Sequence, residues 1–387
     1  MATQPPDSVS GTGGQVTTGG TGATAAAGGD VGDVGEPTLG PERAHVEVPH
    51  GSYRVVGFSA HEGDGSFWED NQTVDSVDLT VESGVGALAL LDESGEVVGA
   101  GVTSCLAPPA GLPKRLQVPS EFSTIQAALD AAKAFDIVKV AAGTYHEHLV
   151  ARRPVTLLGA GADATILDGD GVGASILDVS GAYAAVVAGF TFRNAGQKSG
   201  CADPDDPGGC SGDWYSAAVY VSGDAQRSCP PSLLFFHNVV ADSHMGLFVN
   251  FLGRAIATNN LFYGNRHAFV ANHHQEAALL ANNVFYDNGG VAIFGQASYL
   301  SIINNIVVGG ESAYEKQYVQ SGFVGCNVVF GSDPGFIESP IALDPAFVNA
   351  PGGNFRLSPD SPVRGLGCPL RAASDDPGAY GGPLGKW

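Results

Sequence analysis

The sequence predicts an all-β chain wound as a parallel β-helix, and three observations carry that expectation. One phrase recurs, as His237-Asn238-Val-Val, Asn259-Asn260-Leu-Phe, Asn282-Asn283-Val-Phe, Asn304-Asn305-Ile-Val and Cys326-Asn327-Val-Val. Its second position falls at 238, 260, 283, 305 and 327, in steps of 22, 23, 22 and 22 residues. Fixed-period repetition is the signature of a solenoid. Two positions further on stand Val240, Phe262, Phe285, Val307 and Val329, a column of β-formers. A leucine-rich repeat of similar period would show Leu-x-x-Leu-x-Leu spacing, which is missing here. The repeated Asn, with Asn265 and Asn288 five positions on, are expected to form structural ladders. Asn tolerates the left-handed turn conformation, and its amide can bond the turns above and below.

Composition narrows the class. Among 387 residues stand 55 Gly, and 18 Lys and Arg face 40 Asp and Glu, for a formal charge of -22. That balance argues against a nucleic-acid partner, which needs a basic face for phosphates. No run of 18 apolar residues offers a membrane span. The six cysteines are Cys105, Cys201, Cys210, Cys229, Cys326 and Cys368, with no Cys-x-x-Cys knuckle among them. Cys201 with Cys210, Cys326 with Cys368 and Cys105 with Cys229 is one pairing of the fifteen that six cysteines allow. Bridges imply an oxidising compartment, so a secreted, periplasmic or cell-envelope location is expected.

In chain order, residues 1–40 are Gly, Thr, Ala and Asp with almost no large apolar residue, and are expected to be a disordered tether to an envelope or lipid. Met1-Ala-Thr-Gln-Pro-Pro lacks the basic start and apolar core of an export signal, so that signal is expected upstream. Residues 41–107 form a small β unit in the expectation, from runs such as His45-Val-Glu-Val, Tyr53-Arg-Val-Val and Ala87-Leu-Ala-Leu-Leu. Trp68 there is expected to pack rather than to bind sugar. Residues 117–387 form the solenoid and its closing segment. Ser123 is the expected N-cap of a short amphipathic helix carrying Ile125, Leu129 and Ala132, laid over the exposed first turn.

Three stretches carry a family resemblance: Ser123-Thr-Ile-Gln-Ala-Ala-Leu-Asp, Val138-Lys-Val-Ala-Ala-Gly-Thr-Tyr-His-Glu, and Val155-Thr-Leu-Leu-Gly-Ala-Gly-Ala. They resemble the opening of right-handed parallel β-helix proteins of the pectin-lyase-like superfamily. The tail from Asp344-Pro-Ala-Phe-Val-Asn, with Asp376-Pro-Gly-Ala-Tyr, is similar to the closing segment of bacterial members. The resemblance implies a right-handed single-stranded parallel β-helix with an N-terminal capping helix and a small appended β unit. It specifies fold rather than function, because members include lyases, hydrolases, methylesterases, epimerases and non-catalytic surface proteins. Gly143-Thr-Tyr-His-Glu147 resembles pectin methylesterases, but their later Gln-Ala-Val-Ala-Leu and Asp-Phe-Ile-Phe-Gly signatures are absent, as is the polygalacturonase set. His146 and Glu147 are therefore read as surface residues of the capping turn.

Function is expected where the repeat breaks. Gly189 to Asn238 spans 49 residues where one turn needs 22, so a long loop leaves after Asn194 and returns at Trp214-Tyr215. Long loops on a regular scaffold are where binding and catalysis concentrate. The same turn carries Asp242, His244, Arg266, His267 and Asp287 in the next repeats. Stacked about 4.8 Å apart, these side chains form one patch in the expectation. The leading functional expectation is a secreted polysaccharide lyase acting on a uronic-acid polymer. Arg266 would neutralise the substrate carboxylate, His244 or His267 would take the proton, Tyr215 would protonate the leaving oxygen, and Asp287 completes the set. Arg193, Trp214 and Asp242 are the expected substrate contacts. The alternative is a non-catalytic envelope protein presenting a glycan-binding surface, with the same residues decorating a polar turn. Metal dependence stays open. Calcium is possible at Asp203, Asp205 and Asp206, and zinc or copper at His273 or His274 with ligands from another turn.

Overall fold

Every turn of the chain brings the same three strand directions past the same three walls. The computed structural model describes residues 42–61, 64–81, 85–106, 111–196, 216–223, 229–272, 277–296, 299–318, 320–368, 376–382 and 384–385. From Arg115 the chain winds about eight times as a right-handed parallel β-solenoid. A first sheet of nine strands runs from Arg115–Val118 to Gln320–Gly325, a second of eight from Gly143–Tyr145 to Val328–Phe330, and a third of seven from Leu149–Val150 to Ser312–Gln317. Register is strict. Val187, Phe235, Ala257, Leu280 and Ile302 stack inside the first sheet. Phe192, Val240, Phe262, Phe285, Val307 and Val329 stack inside the second, with the Phe262 and Phe285 rings parallel at 5.0 Å. Val219, Leu247, Phe269, Ile293 and Tyr314 stack inside the third. All are buried.

The corner between the first and second sheets holds the predicted ladder. Each inner Asn accepts at Oδ1 from the backbone N–H and the side-chain amide of its equivalent one turn earlier, and donates its own Nδ2 to a first-sheet carbonyl. The outer position is different: His237, Asn259, Asn282, Asn304 and Cys326 all adopt positive φ, between 53° and 56°. Their side chains leave the solenoid and hold the C-terminal tail. His237 Nε2 meets the Leu384 carbonyl, Asn259 donates to Ala379 and Gly381, Asn282 to Asp376 and Asn304 to Cys368. The disulfide Cys326–Cys368 completes the column. One Asn of each pair therefore serves the ladder and the other clasps the tail, a division the sequence phrase does not reveal.

Both faces of the first sheet are apolar. Outside it, Leu158, Val186, Leu234, Phe236, Ile256, Leu279 and Ile303 pack against Val56, Phe58, Ala87, Ala89 and Leu91 of an antiparallel sheet. That sheet comprises Glu42–His61, Asp64–Val81, Val85–Leu91 and Val97–Val102. Glu42 clamps Arg254 Nη1 with both carboxylate oxygens, at 2.6 and 2.7 Å, and Cys105–Cys229 bonds the unit covalently to the solenoid. Two of the three expected disulfides are present, and Cys201 with Cys210 lies outside the described residues. Trp68 packs half-buried over Gly57, where a methyl group would overlap the indole.

The helix Ile125–Ala131 covers the first turn as expected, but its N-cap is Thr124, whose hydroxyl accepts from the Ala127 N–H. The carboxylate of Glu147 reaches up from the turn below to accept from the Ile125 and Gln126 amides, at 2.9 and 3.0 Å. Anions are favoured at that end of a helix, so Glu147 is a cap supplied by the solenoid rather than a surface decoration. At the far end, Phe347–Asn349 and Asn354–Leu357 fold back over the second sheet, setting Phe355 and Val363 on Leu261, Val284, Ile306 and Val328.

Candidate functional site

Of the expected patch, His244, Arg266 and His267 meet at the turn between the second and third sheets. Asp242, Gly264 and Asp287 occupy its left-handed corner, at φ 49°, 65° and 47°. Ser243, Asn265 and Asn288 behind them form a second ladder, each accepting from or donating to its equivalent in the neighbouring turn. His244 and Arg266 follow, and their backbones stack: the Arg266 N–H donates to Ser243 and the His267 N–H to His244. His267 opens the strand His267–Asn272 and is buried, and its ring meets that of His244 edge-on with centroids 6.3 Å apart. Arg266 is half-buried and donates through Nη1 to the Gly289 carbonyl at 3.2 Å.

The remaining expected residues turn the other way, toward the second sheet. Arg193 donates through Nε to Asp168 Oδ2 at 2.7 Å, while Asn194 donates to the other oxygen at 2.9 Å. Burial by itself would raise the Asp168 carboxyl, but the hydrogen bonds from Asn194, the Asp170 amide and Arg193 outweigh it and hold the group below the usual carboxylate range. Asp242 lies beside Tyr263, whose phenol is pushed up by burial first and by the Asp242 charge second, against Arg193. Asp287 is exposed and lines a shallow pocket of about 450 Å³ with Tyr263, Tyr286 and Phe355. His244, Arg266 and His267 thus come together, whereas Arg193, Asp242 and Asp287 border a different face. Trp214, Tyr215, Asp203, Asp205, Asp206, His273 and His274 lie outside the described residues.

One group of metal-binding type occurs among the described residues. His146, Asp168 and Asp170 place a ligand atom each within 4.8 Å of one another, with His146 Nδ1 2.8 Å from Asp170 Oδ1. Asp168 is already engaged by Arg193 and Asn194, so the group is wired as a polar network.

A larger concavity runs over the corner between the first and second sheets, between the antiparallel sheet and the returning tail. Its volume is about 970 Å³. Gln117, Lys139, Thr191, Tyr263, Arg356 and Tyr380 are among its walls. Lys139 pairs with Glu96 across it at 3.4 Å, and the Arg356 guanidinium lies over the Tyr380 ring at 4.1 Å from the centroid. Glu96 and Asp163 balance Lys139 and Arg356, so the groove has both signs of charge and aromatic rings. None of these residues stood out in the sequence. They come from the sheet unit, five separate turns and the tail, so no local spacing marks them.

No family model matches the chain, and a comparison with curated proteins finds no match. Among solved structures, a pectin methylesterase variant in complex with a hexasaccharide is similar over 58% of this chain and 79% of its own, at 16% identity and a TM-score of 0.30. A pectin methylesterase from carrot is similar over 60% and 86%, at 14% identity and a TM-score of 0.30. The catalytic unit of an α-1,3-glucanase from Streptomyces thermodiastaticus matches 76% and 64%, at 13% identity and a TM-score of 0.25. Likeness this distant carries no activity across. The chain is a right-handed parallel β-helix on the register of its own turns.

Proposed function

We propose that the protein is an extracytoplasmic carbohydrate-binding β-helix that holds a glycan in the groove at the corner of the first and second sheets. What supports the reading is the groove itself. At about 970 Å³ it sits at the upper end of the roughly 300–1,000 Å³ of small-molecule sites, room for an oligosaccharide rather than one sugar. Sugars need hydroxyl partners of both kinds together with aromatic surface for their C–H faces. Gln117, Thr191, Lys139 and Glu96 supply the first, and Tyr263 and Tyr380 the second. Balanced charge favours a neutral glycan over a polyanion. The two disulfides suit an oxidising compartment. Among the described residues, no helix is long and apolar enough to cross a membrane. Calorimetric titration with a panel of neutral and uronic-acid oligosaccharides tests this, with Gln117→Ala and Arg356→Ala each expected to weaken a neutral ligand at least about tenfold, one lost interaction of roughly 1.4 kcal/mol. Silence across the panel, or indifference to both variants, overturns the assignment.

The edge-on approach of His244 and His267 beside Arg266 supports a second reading, uronic-acid β-elimination. There one imidazole takes the proton and the guanidinium offsets the substrate carboxylate. Incubation with uronic-acid polymers, with and without calcium, while following absorbance of the unsaturated product decides it. Absence of product throughout removes the lyase.

A further inference from the structure

Beside the groove lies a smaller pocket of different chemistry. Strand alternation turns Phe262 and Phe285 into the core and the residues after them, Tyr263 and Tyr286, outward on successive turns of the second sheet. The returning tail adds a third ring. Phe355 packs 5.7 Å from Tyr263 and 5.1 Å from Tyr286, centroid to centroid. With Asp287 and the tail turn Pro351-Gly352-Gly353, these rings line the pocket of about 450 Å³. The site faces solvent, with Tyr263 and Tyr286 half-buried and Asp287 exposed. It also joins the groove, because Tyr263 and Gly353 line both.

The groove mixes both signs of charge, whereas this pocket holds only carboxylates. Asp287 lines it, and Asp242 borders it: a methyl group added to Gly264, which also lines it, would lie 2.7 Å from Asp242 Oδ1. Asp242 and Asp287 thus stand at one corner on the two turns either side of Gly264, which keeps the space between them open. Among the described residues no Lys or Arg lines the pocket, and neither carboxylate has an ion-pair partner. Arg193, whose charge also reaches Tyr263, is bound to Asp168 at 2.7 Å.

We infer that the glycan in the groove continues past Tyr263 and places a protonated amino sugar in this pocket. The inference deepens the carbohydrate-binding reading of the groove and rests on it. A primary ammonium meets here both kinds of partner it favours, carboxylate oxygens for its N–H donors and the faces of aromatic rings. The same rings take the C–H face of the sugar. A hydroxyl or an acetamido group in place of the amine brings no charge, and leaves the carboxylates partly stripped of water with no cation beside them. A uronic acid would set like charges together.

The test titrates the whole chain with three β-1,4-linked hexamers that differ only at C2: cellohexaose, the N-acetylglucosamine hexamer and the glucosamine hexamer with its amines protonated. The amino hexamer is expected to bind about tenfold more tightly than the other two, the worth of one exposed ion pair with a cation–π contact. Asp287→Asn, isosteric and exposed, is expected to erase that advantage. Asp75→Asn removes the same charge from an exposed position on the antiparallel sheet and is expected to preserve it. Equal affinity for the amino hexamer and cellohexaose overturns the inference, as does an advantage that survives Asp287→Asn. In either case, cellohexaose binding that Arg356→Ala weakens leaves the groove standing. Silence with all three hexamers sinks the groove and this extension together. Spermine separates a glycan amine from a free one. If it binds as tightly as the amino hexamer and is equally lost in Asp287→Asn, the pocket takes free amines and the link to the groove is overturned.

Discussion

Replacing Asn283 by Ala removes four hydrogen bonds at once. Its Nδ2 donates to the Ala257 carbonyl at 2.9 Å and to Asn305 Oδ1 at 3.0 Å, and its Oδ1 accepts from the Asn260 backbone and side chain, both at 3.0 Å. At about 1 kcal/mol each the loss is about 4 kcal/mol, and the Asn260 N–H stranded at a fully buried site pushes the figure upward. Asn282 next to it makes a useful contrast. It offers one bond to the tail, at 3.2 Å to Asp376, and a left-handed backbone at φ 53°. Asn282→Ala should cost about 2 kcal/mol, half from the bond and half from placing Ala in that conformation. Asn327→Ala, at the last turn of the ladder, loses three bonds and should fall between them, at about 3 kcal/mol. Denaturant unfolding followed by circular dichroism, with midpoint and slope compared across the three variants, measures the order. A cost below about 1 kcal/mol for Asn283→Ala, or one smaller than that of Asn282→Ala, would refute the claim that the inner amides carry the stack.

Other expectations follow from the same contacts. Cys326–Cys368 closes a separation of 42 residues, so replacing both by Ser should lower stability by up to about 4 kcal/mol, read as a drop in denaturant midpoint under oxidising conditions. An unchanged midpoint would mean that the tail holds without its covalent clasp. Burial pulls His237 down from 6.5 to about 4, against its bond to the Leu384 carbonyl. The unfolded chain thus takes up this proton near pH 6.5 and the folded one resists it to about pH 4. The contribution of neutral His237 is full above pH 6.5 and is lost as pH falls toward 4, by up to about 3 kcal/mol. His237→Asn keeps a residue tolerant of positive φ and should flatten the stability profile in that window. A profile as steep as that of the wild type would rule His237 out as its source.

The winding was legible in the sequence because every determinant of it is local and repeated. An amide that bonds the neighbouring turn, a β-former (Val or Phe) two residues on and a residue able to take positive φ recur every 22 or 23 positions. Stacking then requires only that each turn meet the next. The helix over the first turn could be read the same way, to within one residue of its cap. The placement of His244, Arg266 and His267 at one turn also followed from periodicity. Arg193 did not: its side chain is committed to Asp168, a partner 25 residues earlier that no pattern singled out.

What covers each outer wall could be decided only by the tertiary structure. Val239, Leu261, Val284 and Ile306 are apolar outside the second sheet just as Leu234, Ile256 and Leu279 are outside the first. One wall is covered by the tail, the other by the antiparallel sheet, and the gap left between those covers is the groove. The sequence by itself determines the period, because period is a relation between neighbouring turns. It leaves open which outward residues meet water, ligand or a returning segment. That depends on where chain far away in sequence comes to rest, and the solenoid repeat does not encode it.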